Sequence, residues 1–317
     1  MNGPEWLAAI NAPPKGKKRL TSEHLVRVVQ GSSARTFKKR RREELPDYVT
    51  SKWFRYTFVS TYITFVGQTE DPCDVPVDLA VDVMQDIWDA TCTHEYEITT
   101  STPVYQKTVQ HCEDSWRNVI GSTGITSLLA LFNSREFLRD SDKERQEFAK
   151  YYLEDLRFLY KDSDRKDKKK WRGHFRNPLV VKTFAAHLTA TEGAKDIPGL
   201  HDTDEETPAP IGALALACAS VERALTLVAT GTLTIAMAQA ARGKTMTLPR
   251  TLNLSTGNEP TQQTNFSDTA WGEVTRNYAI SASTLSEAKF DDIIEDAREY
   301  VKPTHAYYRT TDATDED

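Results

Sequence analysis

Cysteine is scarce in this sequence of 317 residues, and its four cysteines never form a Cys-x-x-Cys pair. Disulfide frameworks are typical of short secreted domains with many closely spaced cysteines, so none is predicted here. The first ten residues also lack the charged and then apolar pattern of a secretory signal. We therefore expect an intracellular protein.

The sequence has no uninterrupted apolar run of membrane-spanning length. Its most apolar stretch covers residues 211–240, but Glu222 and Arg223 lie near the centre. A transmembrane helix needs about 20 predominantly apolar residues, and charged side chains at its centre are costly. The stretch therefore predicts a buried helix.

Recognisable catalytic motifs are missing too, since neither Gly-x-Ser-x-Gly nor His-Glu-x-x-His occurs. Residues 238–245 fit a permissive phosphate-loop pattern in which Ala238 replaces the first glycine. That loop requires a strand before it and a helix after it, whereas a helical segment precedes this one. We interpret Gly243 as the C-terminal cap of that helix and expect no cofactor.

Two groups of residues resemble metal ligands, and both have a simpler interpretation. An acidic stripe is formed by four aspartates at helical spacing: Asp78, Asp82, Asp86 and Asp89. It lies opposite the apolar positions of the same segment, which favours a solvated helix face. A zinc site would need Cys92, His94, His111 and Cys112, but adjacent His and Cys on a helix diverge. We expect no metal site.

Charge is distributed very unevenly. Residues 1–45 contain eleven Lys/Arg and four Asp/Glu, a net charge of +7, whereas the rest of the chain carries −13. Short basic runs in such arms are typical of nuclear-import signals or of contacts to nucleic-acid phosphates. The candidate contact residues are Lys15, Lys17, Lys18, Arg19, Lys38, Lys39, Arg40, Arg41 and Arg42.

Apolar periodicity predicts a mainly α fold, a single-domain helical bundle or array with at most a short hairpin. The predicted organisation is a disordered basic arm over residues 1–45, a helical domain over 46–302 and a disordered acidic tail over 303–317. The hairpin or short strand is placed at residues 245–252. Residues 161–172 are predicted to be a charged, solvated loop.

Individual helices have clear local signals. Ser141 followed by Glu144 has the spacing of a capping box, and it opens a helix predicted to reach Leu159. Asn177 before Pro178 favours another helix start. Helices are also predicted over residues 49–63, 79–88, 103–120, 210–241, 267–284 and 287–301, with an interruption at Gly121 and Gly124.

Several apolar and aromatic segments resemble, in order, a multi-copy family of uncharacterised proteins from mushroom-forming fungi. They are DVMQDIWDA (82–90), SWRNVIGSTGI (115–125), LEDLRFLYKD (153–162), GHFRNPLVVKTFAAHL (173–188), PIGALALACASVERALTLVATG (210–231) and WGEVTRNY (271–278). The likeness covers roughly residues 46–302 and implies a shared helical fold. It implies no activity, cofactor or site residue.

Three functional hypotheses follow. The first is a non-enzymatic, nuclear or nucleocytoplasmic protein that contacts nucleic acid or an import receptor through the basic arm. The second is a scaffold that self-associates or binds a protein partner through its small-residue helix over residues 225–241. The third is an enzyme of unrecognised type, for which the acidic stripe beside His94 or His111 is the best candidate site.

Overall fold

Helices make up most of the computed structural model, which describes residues 44–164, 167–197, 200, 208–240 and 266–301. Two isolated strands outside these ranges are also described, β1 (Arg27–Val29) and β4 (Thr245–Thr247). The prediction of a mainly α fold with little sheet is confirmed. The acidic tail and most of the basic arm lie outside the described residues.

The first helical unit is continuous but changes its winding along its length. It consists of α1 (Ser51–Trp53), the π-helical segment π1 (Phe54–Phe58) and α2 (Val59–Gln68). The side chain of Thr50 caps its start by accepting a hydrogen bond from the Trp53 amide. The sequence predicted this helix from its apolar spacing but not its π-helical segment.

The next helix, α3 (Val77–Thr91), carries the acidic stripe. Its buried face contains Val83, Met84 and Trp88, as the periodicity predicts. Leu79, which we expected on that face, is 42% exposed. The core-facing position in this turn belongs instead to Ala80.

A second composite helix follows. It contains α4 (Pro103–His111), the π-helical segment π2 (Cys112–Arg117) and α5 (Asn118–Ser134). The predicted interruption at Gly121 and Gly124 is wrong, because α5 runs through both glycines. The missing side chain of Gly124 allows close packing, as described below.

The next two helices are α6 (Glu136–Arg139) and α7 (Asp142–Leu153), and a turn that the sequence did not predict follows them. Ser141 caps α7 by accepting a hydrogen bond from the Glu144 amide, as its spacing predicts. The helix does not reach Leu159, however. It ends at Leu153, because Asp155 and Leu156 adopt left-handed φ angles of 57° and 56° within the turn Glu154–Leu159.

The antiparallel hairpin is not where we predicted it. Strands β2 (Tyr160–Asp162) and β3 (Arg172–His174) pair with each other, so much of the expected solvated loop is a hairpin. The segment predicted to hold a hairpin or a short strand contains the short strand β4, which pairs in parallel with β1 from the basic arm. The arm therefore contains a strand that its composition did not predict.

The next three helices are α8 (Pro178–Ala190), α9 (Ile211–Ala229) and α10 (Ile235–Ala240). Asn177 caps α8 through a hydrogen bond from the Leu179 amide, as predicted. The single helix expected over residues 210–241 is wrong, since α9 ends at Ala229 and Gly231 follows with a φ of +74°. The proposed cap Gly243 lies outside the described residues.

The two C-terminal helices, α11 (Asp268–Ser283) and α12 (Glu287–Arg298), agree with prediction. The centre of the fold is α9, which packs against α2, α5, α7, α8 and α11. Among the described helices, α9 alone is long and apolar enough to cross a membrane by length and composition, and most of it is buried within the protein. The predicted buried helix is thus confirmed.

The crossing of α5 and α9 is especially close. A Cβ atom added to Gly124 would lie 2.3 Å from Ser220 Oγ and 2.8 Å from the Ser220 carbonyl oxygen. Ser220 donates a hydrogen bond of 2.9 Å to the Ile120 carbonyl, and Arg223 donates one of 3.2 Å to the Gly121 carbonyl. Gly124 therefore allows the two backbones to approach closely, and α9 donates two side-chain hydrogen bonds to carbonyls of α5.

Candidate functional site

A cavity of about 230 Å³ lies where π1, π2 and the end of α8 meet. It is lined by Arg55, Tyr56, Ser60, Ile63, His111, Ser115, Trp116, Val119, Ala186, Thr189, Ala190, Glu192 and Gly193. Ile63 and Trp116 are each 2% exposed, whereas Arg55 and Glu192 are exposed. The cavity therefore reaches from the surface into the core.

Both π-helical segments supply lining residues. Arg55 and Tyr56 come from π1, and Ser115 and Trp116 come from π2. A π turn inserts an extra residue into a helix and occurs frequently at functional sites. Here the two turns face the same space, so their altered winding shapes the walls of the cavity.

The loop after α8 closes another side of the cavity. A Cβ atom on Gly193 would lie 1.9 Å from the Tyr56 carbonyl oxygen, so only glycine permits this approach. The Thr61 hydroxyl also accepts a hydrogen bond of 2.9 Å from the Lys195 amide. These contacts hold the loop against π1 and α2.

Two buried polar groups near the cavity have no partner among the described residues. They are the indole N–H of Trp116, whose side chain lines the cavity, and Nδ1 of His187. The two rings lie 5.7 Å apart between centroids. A buried donor without an acceptor costs about 1–3 kcal/mol, so the Trp116 N–H is a position where a ligand atom or water would be favourable.

The histidines near this site are neutral at physiological pH. Burial lowers the pKa of His187 to about 3. Burial also lowers the pKa of His111, and the positive charge of Arg55 lowers it further. Arg55 forms no ion pair with any described residue, while Glu192 already interacts with another group. Arg55 is therefore an available cation on the cavity rim.

A second candidate surface is the hairpin of β2 and β3. Residues 160–174 contain seven Lys/Arg and three Asp/Glu. Lys168 pairs with Asp155 at 2.6 Å. The side chains of Lys169 and Lys170 are exposed and form no ion pair within the described part of the chain. Both are held in a short 3-10 turn, Lys168–Lys170, which Asp167 caps by accepting a hydrogen bond from the Lys169 amide.

Aromatic residues stabilise the base of this hairpin. The Trp171 indole N–H donates a hydrogen bond of 2.6 Å to the Asp164 carbonyl. The guanidinium of Arg157 lies 4.5 Å from the Tyr151 ring centre and 5.7 Å from that of Trp171, distances typical of cation–π contacts. The basic turn is therefore mounted on a packed aromatic base.

The sites predicted from sequence have different outcomes. The nine basic contact residues of the arm lie outside the described residues, and so do residues 241–244 of the phosphate-loop pattern. In the acidic stripe, the four aspartates are all exposed, as a solvated helix face requires. Full exposure removes the stripe as the best candidate for a catalytic pocket. His187 is a buried core histidine, as its neighbours in sequence predict.

The four residues considered for zinc do not form a ligand cluster in the described structure, where the one group with suitable spacing is Asp71, Cys73 and Asp268. Arg276 already contacts both of these aspartates, at 3.0 and 3.2 Å. The guanidinium therefore neutralises the group, and we interpret it as an ion-pair cluster.

Sequence reasoning missed both candidate surfaces. Trp116 occupies an apolar helical position and resembles an ordinary core residue in the sequence. Arg55 lies in a segment without a basic run, so nothing local marks it. Lys169 and Lys170 were assigned to a solvated loop because acids alternate with bases around them, although the run of three lysines at 168–170 was a usable signal.

Comparison with known proteins leaves the activity open. No curated protein and no solved structure matches the chain. A family model described as a domain of unknown function, DUF6532, matches residues 54–241, which include the cavity and the hairpin. The expected resemblance to uncharacterised proteins is confirmed at this level, and the fungal, multi-copy character of the family stays a prediction. The chain belongs to the DUF6532 family.

Proposed function

We propose that this protein is a non-enzymatic helical protein that contacts nucleic acid through its basic arm, with the hairpin as a second contact. The arm carries the net charge of +7 over residues 1–45. The observation that carries the proposal is the exposed pair Lys169 and Lys170. These ammonium groups have no carboxylate partner among the described residues, so they are available to phosphates.

The physical basis is counterion release. Lysine and arginine that neutralise phosphates displace condensed cations, which produces affinity without sequence preference. The rest of the chain carries −13 and opposes binding, so affinity is expected only where basic groups are concentrated. The arm and the hairpin are the two such concentrations.

Salt-dependent binding of the full chain to a DNA duplex tests this proposal. Each phosphate contact contributes a slope of about −0.9 to log affinity against log salt. Replacing residues 38–42 with alanine should flatten the slope by roughly 3 to 4.5, for three to five lost contacts. Lys169→Gln with Lys170→Gln should flatten it by about 1.8. The matched control, Lys150→Gln with Lys195→Gln, removes the same charge elsewhere and should leave the slope unchanged.

The variants separate the two contacts. An arm variant that binds with the wild-type slope would exclude the arm, and an unchanged slope in the hairpin variant would exclude the hairpin. Absence of duplex binding by the wild type at low salt would contradict the whole proposal. The thermal midpoint of the hairpin variant should match the wild type, because the side chains of Lys169 and Lys170 are exposed and bury little surface.

A nuclear import receptor is the alternative partner for the arm. The same basic runs support it, since they are typical of import signals. Fluorescently tagged full-length protein is expected in the nucleus, and a version lacking residues 1–45 in the cytoplasm. Identical distribution of both versions would contradict this alternative.

A protein partner or self-association is a further candidate. Its original support, a small-residue helix over residues 225–241, is weakened because α9 ends at Ala229 and buries Leu225, Leu227 and Val228 within the chain's own core. The exposed apolar side chains of Val77, Val119 and Ile280 now favour it. Light scattering at high protein concentration tests it, and a strict monomer would count against self-association.

A further inference from the structure

We propose that the cavity between π1, π2 and α8 binds a small aromatic monocarboxylate, with its ring inside and its carboxylate at Arg55. The proposal is independent of nucleic-acid contact. It depends on the size of the cavity, on the buried indole N–H of the lining residue Trp116 and on the exposed cation Arg55 at its rim.

The size of the cavity limits the ligand to one ring. An apolar cavity of about 150 Å³ is large enough to hold benzene. At about 230 Å³, this cavity has room for a ring with a short substituent. Drug-sized ligands need pockets of roughly 300–1,000 Å³, so a fused or multi-ring ligand is too large.

The lining favours an aromatic ring. Tyr56 and Trp116 supply aromatic side chains, and Ile63, Ala186 and Ala190 supply aliphatic ones. Aromatic pairs in offset or edge-to-face contact are favourable beyond their buried area. The hydroxyl of Ser60 already donates to the Arg55 carbonyl at 3.2 Å, which leaves the inner wall mainly apolar.

The polar groups determine the charge of the ligand. Arg55 is exposed and forms no ion pair with a described residue, and its planar guanidinium matches a carboxylate. His111 is neutral because its pKa is lowered, and it adds no competing charge.

Trp116 provides the second polar contact. Its indole N–H is buried and lacks an acceptor in the described structure, while its side chain lines the cavity. A ligand with an acceptor beside its ring would satisfy this donor. A carboxylate on a one-carbon linker supplies acceptor oxygens close to the ring, as in phenylacetate.

Calorimetry and ligand-observed NMR on the full chain, with phenylacetate as the probe, test the proposal. Phenylacetate should bind, while the neutral phenylacetamide and the cationic phenethylamine should bind at least tenfold more weakly. Arg55→Gln should weaken phenylacetate binding about tenfold, the usual effect of losing a charged hydrogen bond. Lys52→Gln is the matched control, because it removes an exposed cation from the same helical unit but not from the cavity wall, and it should have no effect.

Variants of the lining establish the location. Ala186→Leu should fill the cavity and abolish binding while the protein stays folded, and Ala190→Leu is the second filling variant if the first unfolds. Trp116→Phe should weaken binding severalfold by removing the N–H. Equal binding of phenylacetate and phenylacetamide, or an unaffected Arg55→Gln variant, would overturn carboxylate recognition. Binding that survives both filling variants, or no binding by the wild type at millimolar phenylacetate, would overturn the site.

Discussion

The crossing of α5 and α9 and the cavity beside π1 and π2 use small residues in opposite ways. At the crossing, Gly124 lets a backbone approach Ser220, and Ser220 and Arg223 donate hydrogen bonds to carbonyls of the facing helix. At the cavity, Ala186 leaves space unfilled, and the Trp116 N–H remains without an acceptor among the described residues.

The two regions differ in what packs against the small residue. At the crossing, the backbone of the facing helix fills the space left by the small residue, so the helices pack closely and hydrogen bonds form between them. At the cavity, the small side chain faces two π turns and a loop, and these do not fill the space beside it. We therefore expect a larger side chain to destabilise the protein at the crossing but to have little effect on stability at the cavity.

The largest expected effect is at the crossing. Gly124→Ala would place its Cβ within 2.8 Å of the Ser220 carbonyl oxygen, a backbone atom that cannot rotate away. Separation of α5 and α9 should lower the free energy of unfolding by about 3 kcal/mol, at the upper end for overpacking. Urea denaturation measures this. Ser122→Ala, on the same helix but only half-buried, should stay within about 0.5 kcal/mol of wild type, and equal losses would contradict the comparison.

A smaller effect is expected from the satisfied polar groups of α9. The Tyr278 hydroxyl donates a hydrogen bond of 2.6 Å to Glu222 Oε2. Burial raises the pKa of Glu222, and this hydrogen bond partly opposes the rise. Tyr278→Phe should therefore raise that pKa further, and its cost should be about 2 kcal/mol at the pH values where Glu222 is charged.

The pH dependence gives this prediction its sign. A carboxyl whose pKa is raised by folding destabilises the protein as pH rises through that pKa, because the unfolded state ionises more readily. The cost of Tyr278→Phe should thus be greater at pH 8 than at pH 5, because lower pH favours the protonated form of Glu222. Urea midpoints of both proteins at the two pH values measure it. If Tyr278→Phe lowers the free energy of unfolding equally at both pH values, the hydrogen bond from Tyr278 does not stabilise the charged form of Glu222.

The smallest effect is expected at the cavity. Ala186→Leu adds volume that the open space can accept, so the free energy of unfolding should change by less than about 1 kcal/mol. The same urea measurement applies, with Gly124→Ala as the contrasting small-to-large change. A loss as large as that of Gly124→Ala would mean that the cavity closes in solution.

Local signals in the sequence determined much of the helical framework. Ser141 and Asn177 cap helices where their side chains reach amides two or three residues ahead, and that interaction needs no distant partner. The burial of α9 also followed from composition, since a long run of apolar side chains must be removed from water. The exposed acidic stripe of α3 followed from its periodicity.

Tertiary structure decided the features on which both proposed sites depend. Gly121 and Gly124 suggest an interruption when only local propensity is considered, but the facing helix α9 makes a continuous helix favourable. The left-handed turn at Asp155 and Leu156, the hairpin and both π-helical segments are likewise set by packing partners far along the chain. The cavity forms where three segments distant in sequence come together, and a local sequence pattern does not predict such contacts.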